Sequence, residues 1–431
     1  MSATASSAPA HASPAGIPPG TPWRLRFWAI FGGQALSMIG SAMTQFVLLW
    51  WITDTTGSVS ALGVAGLAAL LPQAVLGPLG GTLADRYSRR WLMVGADVVS
   101  AACMVVLIAL FLTERVALWH VYTMMAVRSA MQAFQQPAAA ASTAMLVPAY
   151  FLPRAAGLNQ SLFGIMTVGA APLGALAMSL MPLGWALAID VATALLGIVP
   201  LLCFAIPQAR PAPGQQRSLW REFREGVGIV WHHPALRQMY ALLTAAIMVI
   251  MPLFTLVPLL VKTHFAGGAP QVALIESLSG IGMVAGGALI AAVMPRRKTP
   301  WVLAGFALSA FCIALTALMP AQLFGAAVVF WALSGLTFTL GNAPFMALLQ
   351  GSIPNQLQGR VLSLFTTLIG LAAPVGLALA SPLGEVLGTR WLFVALGTLG
   401  GLITLLGFAS GAIRHMEDGV PDEQSQPKSA R

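Results

Sequence analysis

Long apolar stretches recur along this chain, each closed by a short polar or glycine/proline break. A bilayer-crossing α-helix needs about 20 largely apolar residues. Such segments fall near 24–52, 58–83, 91–112, 117–141, 156–181 and 184–206, then near 236–262, 270–294, 299–319, 321–347, 360–384 and 389–412. The pattern predicts an all-α polytopic membrane protein of twelve transmembrane helices in two six-helix bundles. The bundles cover 23–206 and 236–413, with polar tails at 1–22 and 414–431.

Residues 207–235 are the one long polar interruption. They begin Pro-rich, and from Ser218 onward Leu219, Trp220, Phe223, Val227 and Val230 recur at near-helical spacing with Arg and Glu between them. That reads as an amphipathic helix on the membrane surface joining the bundles. Residues 1–22 carry no Lys or Arg, and the apolar segment after them is too long for a cleavable signal, so it should remain as the first helix.

Composition narrows the class. Only 8% of residues are charged and 58% are hydrophobic, against about 25% charged in soluble domains. The net charge of +9 looks like a nucleic-acid signal until the charges are placed. With the N-terminus inside, eighteen of the 22 Lys and Arg residues fall on the cytoplasmic side; Arg115, Lys262 and Arg390 fall outside, and Arg128 lies within the membrane. This positive-inside bias puts both termini in the cytoplasm and leaves no case for nucleic acid. Cys103, Cys203 and Cys312 sit singly in different spans, with neither disulfide nor metal-ligand spacing.

The halves resemble copies. Pro137, Pro148, Arg154 and Pro172 have counterparts in Pro344, Pro354, Arg360 and Pro374, at offsets of 207, 206, 206 and 202. Parallel repeats of this kind build transporters that rock around a midplane site.

No phosphate-binding Gly-x-x-x-x-Gly-Lys run, His-Glu-x-x-His zinc pair or Gly-x-Ser-x-Gly elbow is present, so neither enzymatic chemistry nor a cofactor is expected. Uphill movement would draw on an ion gradient. Charged groups within lipid are the functional candidates, and four qualify: Arg128, Glu276, Asp97 and Asp190. Arg128 shares its helix with Gln132, Gln135 and Gln136, and Asp97 on the preceding helix is its expected acceptor, either in coupling or in a lock between two helices. With helices three, six, nine and twelve on the periphery, Asp97 and Asp190 would be mostly structural, while Arg128 and Glu276 would face the central cleft. Glycines such as Gly77/Gly81 and Gly282/Gly286 have helix-packing spacing.

One charged turn carries a family resemblance. Gly81-x-Leu83-Ala84-Asp85-Arg86-x-x-Arg89-Arg90, preceded by Gly77, resembles the loop between the second and third helices of the major facilitator superfamily, with Ser88 where that family has glycine. The resemblance implies the twelve-helix, two-bundle fold and a charge network of Asp85, Arg86, Arg89 and Arg90 that governs switching between openings. It also aligns Arg128 with the family's fourth-helix arginine, implicated in proton coupling. Residues 164–174 resemble the antiporter motif through Gly169, Pro172 and Gly174, although Ala171 replaces a glycine. The second half's equivalent of the charged loop is reduced to Pro295-Arg296-Arg297-Lys298.

Trp23 to Ser37, Asp54 to Ser58, Gly95-Ala96-Asp97, Ala188-Ile189-Asp190 and Gly359 to Leu364 are similar to the macrolide-efflux branch, which includes siderophore exporters. The resemblance spans roughly residues 23–412.

These readings converge on a monomeric exporter in a bacterial cytoplasmic membrane, expelling an amphipathic small molecule in exchange for protons. Siderophore or other metabolite export, uptake and lysophospholipid flipping are alternatives, as is a non-transporting receptor or assembly partner. Gln34, Gln45, Gln132, Asn159 and Asn342 are candidate polar contacts. Phe338, with Phe46, Trp50, Trp51, Met248, Met251, Phe254 and Phe345, would form cleft walls.

Overall fold

The computed structural model describes residues 23–206, 224, 227–228, 230–351 and 355–414; the side chains of 355–360 and 362–363 are outside that description. Both tails and most of the expected amphipathic linker helix therefore lie outside the described residues. Within them run twelve long helices: α1 Trp23–Thr56, α2 Val59–Arg86, α3 Arg89–Leu112, α4 Leu118–Leu146, α5 Leu152–Leu180, α6 Leu183–Cys203, α7 Pro234–His264, α8 Ala269–Val293, α9 Thr299–Leu318, α10 Phe324–Gly351, α11 Asn355–Leu387 and α12 Thr389–Leu406.

Local chemistry sets the breaks. After α1, Gly57 takes φ +60°, a left-handed conformation that costs glycine nothing, and its N–H returns to the Thr53 carbonyl. Ser58 then opens α2 by accepting from the Ala61 N–H. Pro270 and Pro300 stand in the first turns of α8 and α9, where a missing N–H costs nothing.

Eleven of the long helices are apolar enough to cross a membrane. The exception, α4, carries Arg128, Gln132, Gln135 and Gln136. A helix that polar is tolerated in lipid only if its polar face turns inward. Leucines and valines such as Val105, Val106, Leu195, Val199, Leu308 and Leu402 stand exposed on α3, α6, α9 and α12, as lipid-facing helices require.

Packing repeats between the halves. In the first, α1 packs on α5 and α6, α3 on α4 and α6, and α2 on α4. In the second, α7 packs on α11 and α12, α9 on α10 and α12, and α8 on α10. Each contact recurs six helices later. The bundles meet through α2 with α11 and α5 with α8, a pair of seams exchanged by the same operation.

Those seams are closed at one end only. At the end carrying the 57–58 turn, hereafter the far end, one buried cluster spans both bundles: Val47, Ile52 and Leu62 share it with Leu256, Leu260 and Phe393. At the terminal end, where Trp23 and Arg414 lie, each bundle keeps its own core, around Phe27, Met93 and Leu146 in the first and Tyr240, Val302 and Leu348 in the second. Glycines trace the parting along α2. Side chains added at Gly63 and Gly66 would strike Ser381 and Leu377 of α11, whereas at Gly77 and Gly81 they would meet nothing within 4 Å. Among the described residues the structure is therefore sealed at the far end and open at the terminal end.

Candidate functional site

A cavity of about 690 Å³ lies inside the first bundle, lined by residues of α1 to α6. On α1 its lining runs from Phe27 to Gln45, a span of roughly 27 Å at 1.5 Å per residue. Three charged side chains line it, Asp97, Arg128 and Asp190, all buried.

They form two rungs. In one, Arg128 Nη1 of α4 lies 2.9 Å from Asp190 Oδ2 of α6, and Ser41 of α1 donates to Asp190 Oδ1 at 3.1 Å. In the other, Asp97 of α3 accepts from Gln34 Nε2 of α1 at 3.1 Å and from Gln135 Nε2 of α4 at 3.0 Å. Gln135 also donates to Gln34 Oε1 at 2.8 Å, and Gln34 reaches the Gly197 carbonyl of α6 at 3.3 Å. Gln34 and Ser41 are seven residues apart on α1, as are Arg128 and Gln135 on the antiparallel α4. Seven residues is two helical turns, roughly 10 Å, so both helices contribute to both rungs.

This corrects the expected pairing: Arg128 meets Asp190, not Asp97. Asp97 and Asp190, expected to be mostly structural because of their outer helices, both line the cavity. Both stand on outer helices, yet on faces turned inward to the cavity. Burial of a guanidinium and a carboxylate in contact offsets the cost that either alone would carry.

Of the expected polar contacts, Gln34, Gln45, Gln132 and Asn159 line the cavity; Asn342 does not. The expected aromatic walls lie elsewhere. Phe46 fits against Gly174 beside α5, and Phe254 packs edge-on to Trp331 in the sealed cluster. Phe338 packs edge-on to Phe306 and Phe345 lies tilted against Phe365, both in the second bundle. Trp50 and Trp51 flank the sealed core, while Met248 offers its carbonyl to close packing at Gly376. Met251 is also absent from the cavity wall. The apolar lining includes Phe27, Phe31, Met38, Met93, Met131 and Phe163. Glu276, expected at the cleft, is half-buried on α8 in the second bundle, one residue from Ser277, whose hydroxyl donates to the Val168 carbonyl of α5 at 2.9 Å. It is not part of the cavity.

Residues outside the expected set complete the site. Ser41 holds Asp190, and Ser129 of α4 accepts from the Gln73 N–H of α2 at 3.0 Å, just after Pro72 interrupts the α2 ladder. Gln73 Nε2 then donates to Gln136 Oε1 at 2.9 Å. The seven-residue echo between α1 and α4 was the available sequence signal for Ser41.

At the terminal end, Arg89 approaches Asp85 at 3.5 Å and donates to the Ala84 and Ala141 carbonyls of α2 and α4. Arg90 donates to the Leu202 carbonyl of α6 at 2.5 Å. From the first turn of α3, Arg89 and Arg90 thus reach the C-terminal ends of α2 and α6, where free carbonyls and the helix dipole favour a cation. Asp85 and Arg86 are exposed. Pro172 lies within α5, Gly174 packs on α1, and Gly169 faces open space. Among the described residues no group of three His, Cys, Asp or Glu could hold a metal ion.

The sequence matches the family model of the Major Facilitator Superfamily over residues 30–377 and again over 254–429. It is 31% identical to Macrolide efflux protein A of Streptococcus pyogenes over 88% of this chain and 94% of that protein. It is 24% identical to the multidrug efflux pump Tap of Mycolicibacterium fortuitum over 83% of this chain and 88% of that one. Among solved structures, a mutant of the nucleoside transporter NupG matches with TM-score 0.70 at 12% identity, covering 90% of this chain and 99% of that one. A bacterial homologue of the lysosomal transporter Spinster, in an inward-facing and unoccupied conformation, matches with TM-score 0.65 at 14% identity, covering 92% and 97%.

Proposed function

Because the chain belongs to the Major Facilitator Superfamily and its relatives include efflux proteins, we propose that it exports an amphipathic small molecule, macrolide-like in size and character, by alternating access in exchange for protons. The observation that carries this reading is the first-bundle cavity, soft and apolar on most of its wall, with the buried Arg128–Asp190 pair on its lining. Methionine and phenylalanine walls adapt to bulky ligands of varied shape, and a few placed polar groups orient them. Arg128 and Asp190 are the coupling pair: a proton delivered to Asp190 releases the guanidinium, and its loss restores the ion pair. Asp97 and Glu276 are further acids that can load protons, one on the open cavity and one in the second bundle. The Asp85, Arg86, Arg89 and Arg90 loop and the α2 glycines change partners when the terminal end closes.

The terminal end is cytoplasmic by the positive-inside distribution of Lys and Arg, so this conformation faces inward, in the cytoplasmic membrane of a bacterium. A monomer suffices, because cavity and seams are complete in one chain.

Inverted membrane vesicles energised acid-inside test the reading. A pH-sensitive quenched dye should recover fluorescence when a macrolide is added, and recovery should vanish in Arg128→Ala. No recovery with any macrolide or lipophilic drug at full expression would overturn proton-coupled export.

A further inference from the structure

Resting on the export reading, we infer that Asp97, positioned by Gln34 and Gln135, is the anionic subsite at which the cavity receives an amphipathic cation. The hydrogen-bond geometry suits the ionised form of the carboxyl group. The Gly197 carbonyl can only accept, so the Gln34 atom 3.3 Å from it is the amide nitrogen. That nitrogen lies 3.1 Å from Asp97 Oδ2, which leaves Gln34 Oε1 to accept from Gln135 Nε2 at 2.8 Å. The same Gln135 nitrogen donates to Asp97 Oδ1 at 3.0 Å. Both carboxylate oxygens thus face N–H donors, the environment of an ionised acid.

Among the described residues its charge has no partner in the cavity wall. The ionisable lining residues are Asp97, Arg128 and Asp190, and Arg128 is committed to Asp190 at 2.9 Å. One negative charge is left over, supported only by neutral amides. A buried charge without a counter-charge is costly, and a cation entering the open cavity offsets that cost where an anion would add to it. The neighbouring wall suits such a ligand: Phe31 and Phe163 place aromatic rings, which attract cations, on the lining, and Met38 and Met131 add polarisable bulk. The arrangement selects a lipophilic ammonium or phosphonium compound and disfavours anionic chelators.

Binding to the purified full-length protein in detergent separates the possibilities. The probes are one fluorophore carrying a triphenylphosphonium group and the same fluorophore carrying an uncharged triphenylmethyl group, read by anisotropy. The wild-type protein should bind the cation at least tenfold more tightly than the neutral probe. Asp97→Asn should bring the two within about twofold while leaving the neutral probe's affinity unchanged, and Asp97→Glu should keep the preference. Gln135→Leu should weaken the preference without abolishing it, as expected of a positioning residue. Equal binding of both probes by the wild type, or a tenfold preference surviving in Asp97→Asn, would overturn the cation subsite and leave export standing. Binding of neither probe would also overturn the cation subsite, while export stands or falls with the vesicle assay.

Discussion

At the scale of single residues, the Arg128–Asp190 contact shows what a buried charge demands. Removing one member strands the other: Arg128→Ala leaves Asp190 with the Ser41 hydroxyl as its partner. Breaking a buried pair this way costs about 3–5 kcal/mol, whereas replacing both partners is far milder. Thermal unfolding in detergent should therefore rank the wild type highest, Arg128→Ala/Asp190→Ala next and Arg128→Ala lowest. A double variant melting below the single would show that the pair is not the balance it is taken to be. Arg128 was legible in the sequence because a guanidinium inside an apolar run has few explanations. Its partner was not. Asp97 and Asp190 both lie within reach of α4 in a generic bundle, and choosing between them depends on helix rotation, which α1 fixes by placing Ser41 beside Asp190 and Gln34 beside Asp97.

At the scale of elements, α2 is the informative helix. Its Gly63 and Gly66 touch α11, while Gly77 and Gly81, about three to five turns further on, face open space. Overpacking a tight contact costs about 1–3 kcal/mol, while an exposed position changes stability by within about 0.5 kcal/mol. Gly63→Leu should thus lower the melting temperature and Gly77→Leu should not. If the terminal half of α2 closes against α11 in the other conformation, Gly77→Leu should still slow drug-driven proton release from vesicles severalfold. A Gly77→Leu protein with normal transport would mean that this stretch never becomes an interface. The small-residue spacing of α2 was readable in the sequence, but which glycines are occupied depends on conformation, and no periodicity records that. The element least visible as a membrane span, α4, proves to be the polar spine of the cavity, because the glutamines that lower its hydropathy are those that line the site.

At the scale of the whole molecule, the repeat offsets between Pro137 and Pro344 and between Arg154 and Arg360 anticipated two bundles with the same internal packing. They did not anticipate how differently the halves are used: the cavity belongs to the first, and Asn342, Phe338 and Glu276 lie apart from it. What joins the halves at the far end, beyond the shared apolar cluster, is a pair of polar latches. Lys262 of α7 reaches Asp54 Oδ1 at 2.9 Å and the Asp54 and Thr53 carbonyls at 2.7 and 3.3 Å, at the C-terminus of α1 where a cation is favoured. Glu385 of α11 accepts from Ser58 Oγ and the Ser60 N–H, both at 2.8 Å, so a carboxylate from one bundle caps the N-terminus of α2 in the other. Each exposed contact contributes under about 1 kcal/mol, but both exist only while the far end is shut, so they act on the equilibrium between openings. Removing about 1–2 kcal/mol from the closed far end changes the population ratio by a factor of roughly 5–30. In Lys262→Ala/Glu385→Gln, spin labels on Thr113 and Gln322, one in each bundle at the far end, should show a longer-distance population that is minor in the wild type. An unchanged distance distribution would assign closure to the apolar cluster alone, and the polar contacts would then be a consequence of the seal and not one of its causes.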